Sequence, residues 1–84
     1  MYEMSAEEFL LKLYLKIRED IRKLKKVTNK IERDKIITRL LSVFDYLIAL
    51  TNSTDLQKQY LEIQKELTLN EFDKVEERID KWIS

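Results

Sequence analysis

The chain has 84 residues, with 16 Lys and Arg against 16 Asp and Glu for a formal net charge of zero, and it contains no Gly, Pro, Cys or His. Those absences exclude a disulfide framework, Cys–His or Ser–His–Asp nucleophilic chemistry, zinc held by nitrogen and sulfur, and di-iron centres built on Glu-x-x-His pairs. At 44% hydrophobic and 38% charged residues, the composition suits one soluble packed domain over residues 1–84, and no apolar run approaches the roughly 20 residues of a membrane span.

The start, Met1 to Glu8, is acidic, unlike the basic start of a secretory signal, so a cytoplasmic location is expected. Helix 1 is predicted to open at Ser5-Ala6-Glu7-Glu8, where Ser5 and Glu8 can satisfy two free N–H groups reciprocally, and to run to about Lys26. Leu10, Tyr14, Ile17, Ile21 and Leu24 recur at spacings of four and three, the stripe of a helix packed on neighbours. Phe9, Leu11, Leu13 and Leu15 make the first half of this helix apolar nearly all round, so either two neighbours cover it or part of it meets another chain.

Helix 2 is predicted to start after Asn29, with Glu32 in the capping position, and to continue through Ile36, Leu40, Phe44 and Leu47 to Leu50. It is the most apolar segment and is expected to be the central helix. Helix 3 is predicted after Asn52-Ser53-Thr54, with Thr54 and Gln57 as its capping box and Leu56, Tyr60, Ile63 and Leu67 as its stripe. Helix 4 is expected after Thr68, with Glu71 in the reciprocal position and Phe72, Val75, Ile79 and Trp82 or Ile83 facing the core.

Without Gly or Pro, the breaks fall to Asn29, Asn52 and Asn70, each with a Thr one or two residues before it. Asn tolerates the left-handed backbone that Gly usually supplies, and both Thr and Asn cap helix starts. No period-two alternation marks a strand. The fold class expected is all-α: an antiparallel four-helix bundle with two long and two shorter helices. A long helical hairpin that completes its core by dimerising is the alternative.

The charges are unevenly placed. Residues 22–39 carry eight bases against two acids, a net of +6, while residues 1–21 and 40–84 net −2 and −4. Arg22, Lys23, Lys25, Lys26, Lys30 and Arg33 are therefore candidates for a basic partner-binding tip that could meet anionic lipid head groups, phosphates or a protein. No aromatics interleave with these cations, which argues against a nucleic-acid groove. Leu11, Leu15 and Leu61 exceed the one stripe per helix that a bundle needs and are candidates for an apolar interface with a partner or a second copy.

Tyr2, Tyr14, Tyr46 and Tyr60 are expected as half-buried seam residues with wet hydroxyls. Glu76, Glu77 and Asp80 are interleaved with Lys74, Arg78 and Lys81 at salt-bridge spacing and read as a solvated face. Arg18, Arg22, Arg33 and Arg39 could hold a dicarboxylate as in the all-helical chorismate mutases, but the Arg and Asp pattern of that family's first helix is not reproduced. No catalytic residue, metal ligand or cofactor is assigned, and no enzyme activity is expected.

Ile37-Thr38-Arg39-Leu40-Leu41, followed by Tyr46-Leu47-Ile48-Ala49-Leu50-Thr51-Asn52, resembles a helix and the turn after it in pediocin-like bacteriocin immunity proteins of the enterocin A type. Leu13-Tyr14-Leu15-Lys16 and the Tyr60 to Leu67 helix extend the resemblance to about half the chain. The closing helix ending at Trp82-Ile83-Ser84 departs from it, because that family usually ends in a flexible tail. The resemblance implies a small cytosolic helical bundle that protects a producer cell by engaging a bacteriocin–receptor complex at the inner membrane face, without chemistry. The function expected is thus non-enzymatic protein–protein contact. The alternatives are a phage or mobile-element inhibitor that binds a host protein, and a dimeric nucleic-acid-binding regulator using the basic segment 22–39.

Overall fold

A computed structural model describes residues 5–84. Four helices follow one another: α1 (Ala6–Lys26), α2 (Lys30–Leu50), α3 (Thr54–Thr68) and α4 (Phe72–Ile83). Two long and two shorter helices form an all-α four-helix bundle. Antiparallel neighbours are evident from the side chains that meet. Arg18 reaches Asp80 and Arg22 reaches Glu76 between α1 and α4, Gln64 reaches Asp45 between α3 and α2, and Arg39 reaches Asp20 between α2 and α1. Among the described residues no helix is long and apolar enough to cross a membrane.

The helix starts follow local chemistry. The Ser5 hydroxyl accepts the Glu8 N–H at 3.1 Å, and Asn29 Oδ1 accepts from Ile31 at 2.8 Å and Glu32 at 3.3 Å. Each such cap satisfies donors that the first turn cannot pair internally, and removing one costs about 1 kcal/mol. At α3 the expected cap is displaced by one residue: Ser53, not Thr54, accepts the Leu56 N–H at 3.2 Å. The Gln57 amide then reaches back to the carbonyls of Thr51 and Ile48, serving the end of α2 rather than the start of α3.

The last connection also departs from expectation. Thr68 closes α3, its hydroxyl bonding to the Lys65 carbonyl, and Glu71 is itself the N-cap residue of α4, without a side-chain cap bond. Asn70 alone among the described residues takes a positive φ, at 59°. Its N–H bonds Leu67 O at 3.2 Å while the Glu71 N–H bonds Glu66 O at 2.9 Å. This pair of bonds is the Schellman arrangement that ends many helices, with Asn where Gly is usual.

Around the ring, α1 packs most extensively on α4 and α2 on α3, while α1 and α2 approach over a shorter length. The expectation that α2 is central is corrected, because it is one corner of four. It buries a single stripe, Ile36, Leu40, Phe44 and Leu47, and leaves Ile31, Tyr46 and Leu50 exposed. A corner position covers one face whatever the overall apolarity, so richness without strong periodicity does not make a helix central.

The core is one cluster contributed by all four helices, including Ile17, Ile21, Phe44, Ile63, Val75 and Ile79, each at most 1% exposed. Tyr14 and Tyr60 belong to it rather than to a wet seam, and their hydroxyls bond one another across the bundle at 2.7 Å. Trp82 packs on both rings, with centroids 5.1 and 5.4 Å away, and Phe44 lies 5.7 Å from Tyr60. Burial, and then the bond to Tyr60, push the Tyr14 hydroxyl well above its ordinary acidity of 10.0. Tyr46 is exposed, and Tyr2 lies outside the described residues.

Candidate interaction site

The basic segment does not form a single cationic face. Arg22 and Lys25 lie on the side of α1 that faces α4 and grip its acids. Arg22 Nε donates to Glu76 at 2.8 Å, Lys25 Nζ bonds Asp73 at 2.6 Å, and Lys25 also bonds Glu76. Arg18 adds a longer pair to Asp80 at 3.4 Å. The hydrogen bonds from Lys25 and then Arg22 hold the Glu76 carboxyl below its ordinary 4.5, while Asp73 and Glu76 raise Lys25. Glu76, Asp73 and Asp80 are thus more than a solvated face, since they fasten α4 to α1. Arg33 turns inward, its Nη2 donating to the Val27 carbonyl oxygen at 3.4 Å and its Nε buried without a bond. Lys23, Lys26 and Lys30 remain exposed.

This ionic seam has a pH signature. A carboxylate whose folded pKa is depressed adds stability above the unfolded value and loses it as pH falls through the folded one. Below about pH 4.5, the ordinary value of Glu76, the α1–α4 seam is therefore expected to weaken progressively. Glu76→Gln should flatten that acid limb in thermal melts followed by circular dichroism. An unchanged acid limb in the variant would show that other carboxylates govern it.

Two buried acids escaped the reading of the sequence. Glu66, 6% exposed, takes a paired contact from Arg78, with Nε at 2.9 Å and Nη2 at 3.0 Å. That bond raises the Arg78 pKa. Asp20, 3% exposed, sits between Lys16 at 3.6 Å and Arg39 at 3.2 Å, and its Oδ1 has no hydrogen bond. A signal for Asp20 was available, because it occupies the helical stripe running through Leu13, Ile17 and Leu24.

The apolar surplus is distributed differently from expectation. Leu11, Leu15 and Leu61 are exposed, at 42%, 37% and 54%, but none of them lines the cleft at the end of the bundle. That cleft, of about 290 Å³, opens where α1 begins, α2 ends and α3 begins. Phe9, Leu10, Leu47, Leu50, Leu56 and Tyr60 form most of its wall. Phe9 and Leu50 stand half-exposed at its edge, at 48% and 57%.

No α4 residue is among those that line the cleft. Pairing of Arg18 with Asp80 and of Arg22 with Glu76, together with Trp82 on the Tyr14 ring, sets the register of α1 on α4. No family model, curated protein or solved structure matches this chain. The function must be read from the surface itself.

Chemically, the cleft offers apolar area and few polar groups. Among the described residues, Thr51 and Tyr60 are its only hydroxyl-bearing wall residues, and the Thr51 side chain already accepts the Ser53 N–H at 3.1 Å. Such a surface can receive an apolar side chain or a helix edge. A wider depression over Ile31, Asp34, Lys35, Thr38 and Arg39 lies along α2 and is shallow.

Proposed function

We propose that this protein is a non-enzymatic interaction module that binds another protein through the open end of its bundle. The half-exposed Phe9 and Leu50 beside an apolar cleft carry this reading. Large aromatic and aliphatic groups around a concavity are the usual anchors of protein association, and their exposure is otherwise a liability for a soluble chain. The engagement of Arg22 and Lys25 with α4 favours this end over the basic segment, because cations already paired have less to offer a phosphate backbone or lipid head group.

The resemblance to pediocin-like immunity proteins gives the reading its specific form: recognition of a bacteriocin–receptor complex at the cytosolic face of the membrane. Expression in a sensitive strain is expected to protect against one member of a panel of pediocin-like bacteriocins. Phe9→Asp with Leu50→Asp should reduce protection at least tenfold in the inhibitory concentration, while leaving the helical circular dichroism unchanged, since both side chains are already in contact with solvent. No protection across the panel would remove the immunity reading. Protection undiminished in the double variant would remove the open end as the contact surface.

A further inference from the structure

The connection between α3 and α4 combines features not found together elsewhere in the chain. It is three residues long, Leu69-Asn70-Glu71, and its middle residue holds a left-handed backbone at φ 59°. That conformation is disfavoured for any residue with a Cβ, and Asn tolerates it without making it free. The helix that follows is the shortest, 12 residues, and has no side-chain cap at its start. Leu69 itself is 57% exposed.

Neither Gly nor Pro occurs in the chain, so nothing in these three residues prevents the backbone from running straight on as helix. In that form the Schellman bonds of Asn70 and Glu71 would be exchanged for ordinary helical ones, and the left-handed residue would be relieved. A continuous α3–α4 helix cannot fold α4 back onto its own α1. The α1–α3 groove would then be empty, with Arg18, Arg22 and Lys25 along one rim and Glu66 on the other.

We propose that Leu69-Asn70-Glu71 is a swap hinge and that a second copy of this chain is the partner of the α1–α3 groove, donating its α4 in place of the resident one. Charge complementarity selects that occupant. The incoming helix must present acids at the spacing of Asp73, Glu76 and Asp80 to α1, and a base at the position of Arg78 to Glu66. Val75 and Ile79, fully buried in the closed form, would be buried equally in the exchanged one. Exchange of an identical element preserves every contact of the closed interface, so short strained hinges tip the balance. The exposed Leu69 would lie beside its counterpart where the two hinges cross. The inference stands apart from the open-end cleft, which contains no α4 residue.

Asn70→Ala disfavours the left-handed turn and favours helix, while Asn70→Gly does the reverse. Each dimer contains two hinges, so the association constant from light scattering after size exclusion should rise roughly tenfold or more in Asn70→Ala relative to Asn70→Gly. The chain's lack of cysteine gives a direct reporter. One chain carrying Lys25→Cys is refolded with another carrying Asp73→Cys; the native side chains meet only at their tips, Nζ to Oδ1 at 2.6 Å, so the two shorter thiols leave a gap suited to a short bis-maleimide linker rather than to a direct disulfide. A cross-link between the two chains is expected, confined to the dimer fraction and enriched when both carry Asn70→Ala. Monomers throughout at millimolar concentration would overturn the proposal, as would a dimer that gives no inter-chain cross-link. Asn70→Gly keeps the comparison valid should Asn70→Ala fold poorly, because unmodified protein refolded at high concentration must then exceed it in dimer.

Discussion

Phe44→Ala is expected to cost about 3–5 kcal/mol of folding stability, the usual range for deleting a buried aromatic ring from a packed core. Phe44 is 0% exposed, and its ring lies 5.7 Å from Tyr60. The consequence spreads beyond one void. Tyr60 is held by Phe44 on one side and Trp82 on another, and its hydroxyl bonds Tyr14. A shift of that ring would disturb a polar pair that has little access to water, and unpaired buried hydroxyls are costly. Small domains have roughly 5–15 kcal/mol in total, so the variant should sit near the limit of folding at ambient temperature. Urea titration followed by Trp82 fluorescence measures the effect. A loss of less than about 1 kcal/mol would mean that the site collapses freely and that the aromatic cluster is not a packed core.

Arg78→Ala is expected to be the second largest loss, about 2–3 kcal/mol. Removing one partner of a buried ion pair leaves the other charge stranded, and the cost exceeds what the pair contributed. Glu66 is the stranded group, at 6% exposure. The effect falls short of a fully buried pair because the Arg78 side chain is 35% exposed, which allows water to screen the interaction. Glu66→Leu combined with Arg78→Leu should recover most of the loss, because a well-packed apolar pair replaces a desolvated ionic one. Chemical denaturation of the single and double variants completes the cycle. A double variant as unstable as Arg78→Ala would show that the pair contributes geometry rather than charge balance.

Much of this bundle is written in local chemistry. The four amphipathic stripes name the core almost residue by residue, since Tyr14, Ile17, Ile21 and Leu24 on α1, and Tyr60, Ile63 and Leu67 on α3, are all buried as their spacing implies. The caps at Ser5 and Asn29 were equally legible, because a cap depends on four consecutive residues. Ser53 against Thr54 was not, since either hydroxyl can cap a start one residue apart and the choice rests on where α2 releases the chain. The role of Asn70 was half legible: three Asn could each have entered left-handed space, and only the one that reverses α3 onto α4 did.

The site was less legible than the fold. The basic run 22–39 suggested a free cationic tip, because sequence separation conceals that Asp73 and Glu76 lie opposite Lys25 and Arg22. Leu11, Leu15 and Leu61 were rightly surplus to one stripe, and all three are exposed. Which apolar residues meet around a cleft depends instead on three helix ends converging, and Phe9, Leu50 and Leu56 come from segments more than forty residues apart at their extremes.

By itself, then, the sequence determined the helices, their inward faces, most of their ends, and the chemistry this chain lacks. Periodicity, capping and composition act over a few residues and leave little freedom. Only the tertiary structure decided the register of α4 on α1, and with it which charges are spent within the molecule and where the bundle stays open. Register is set by long-range ion pairs and aromatic contacts among Arg22, Glu76, Tyr14 and Trp82. Those contacts join residues more than fifty positions apart, and no local pattern specifies which of several nearly equivalent alignments buries the most.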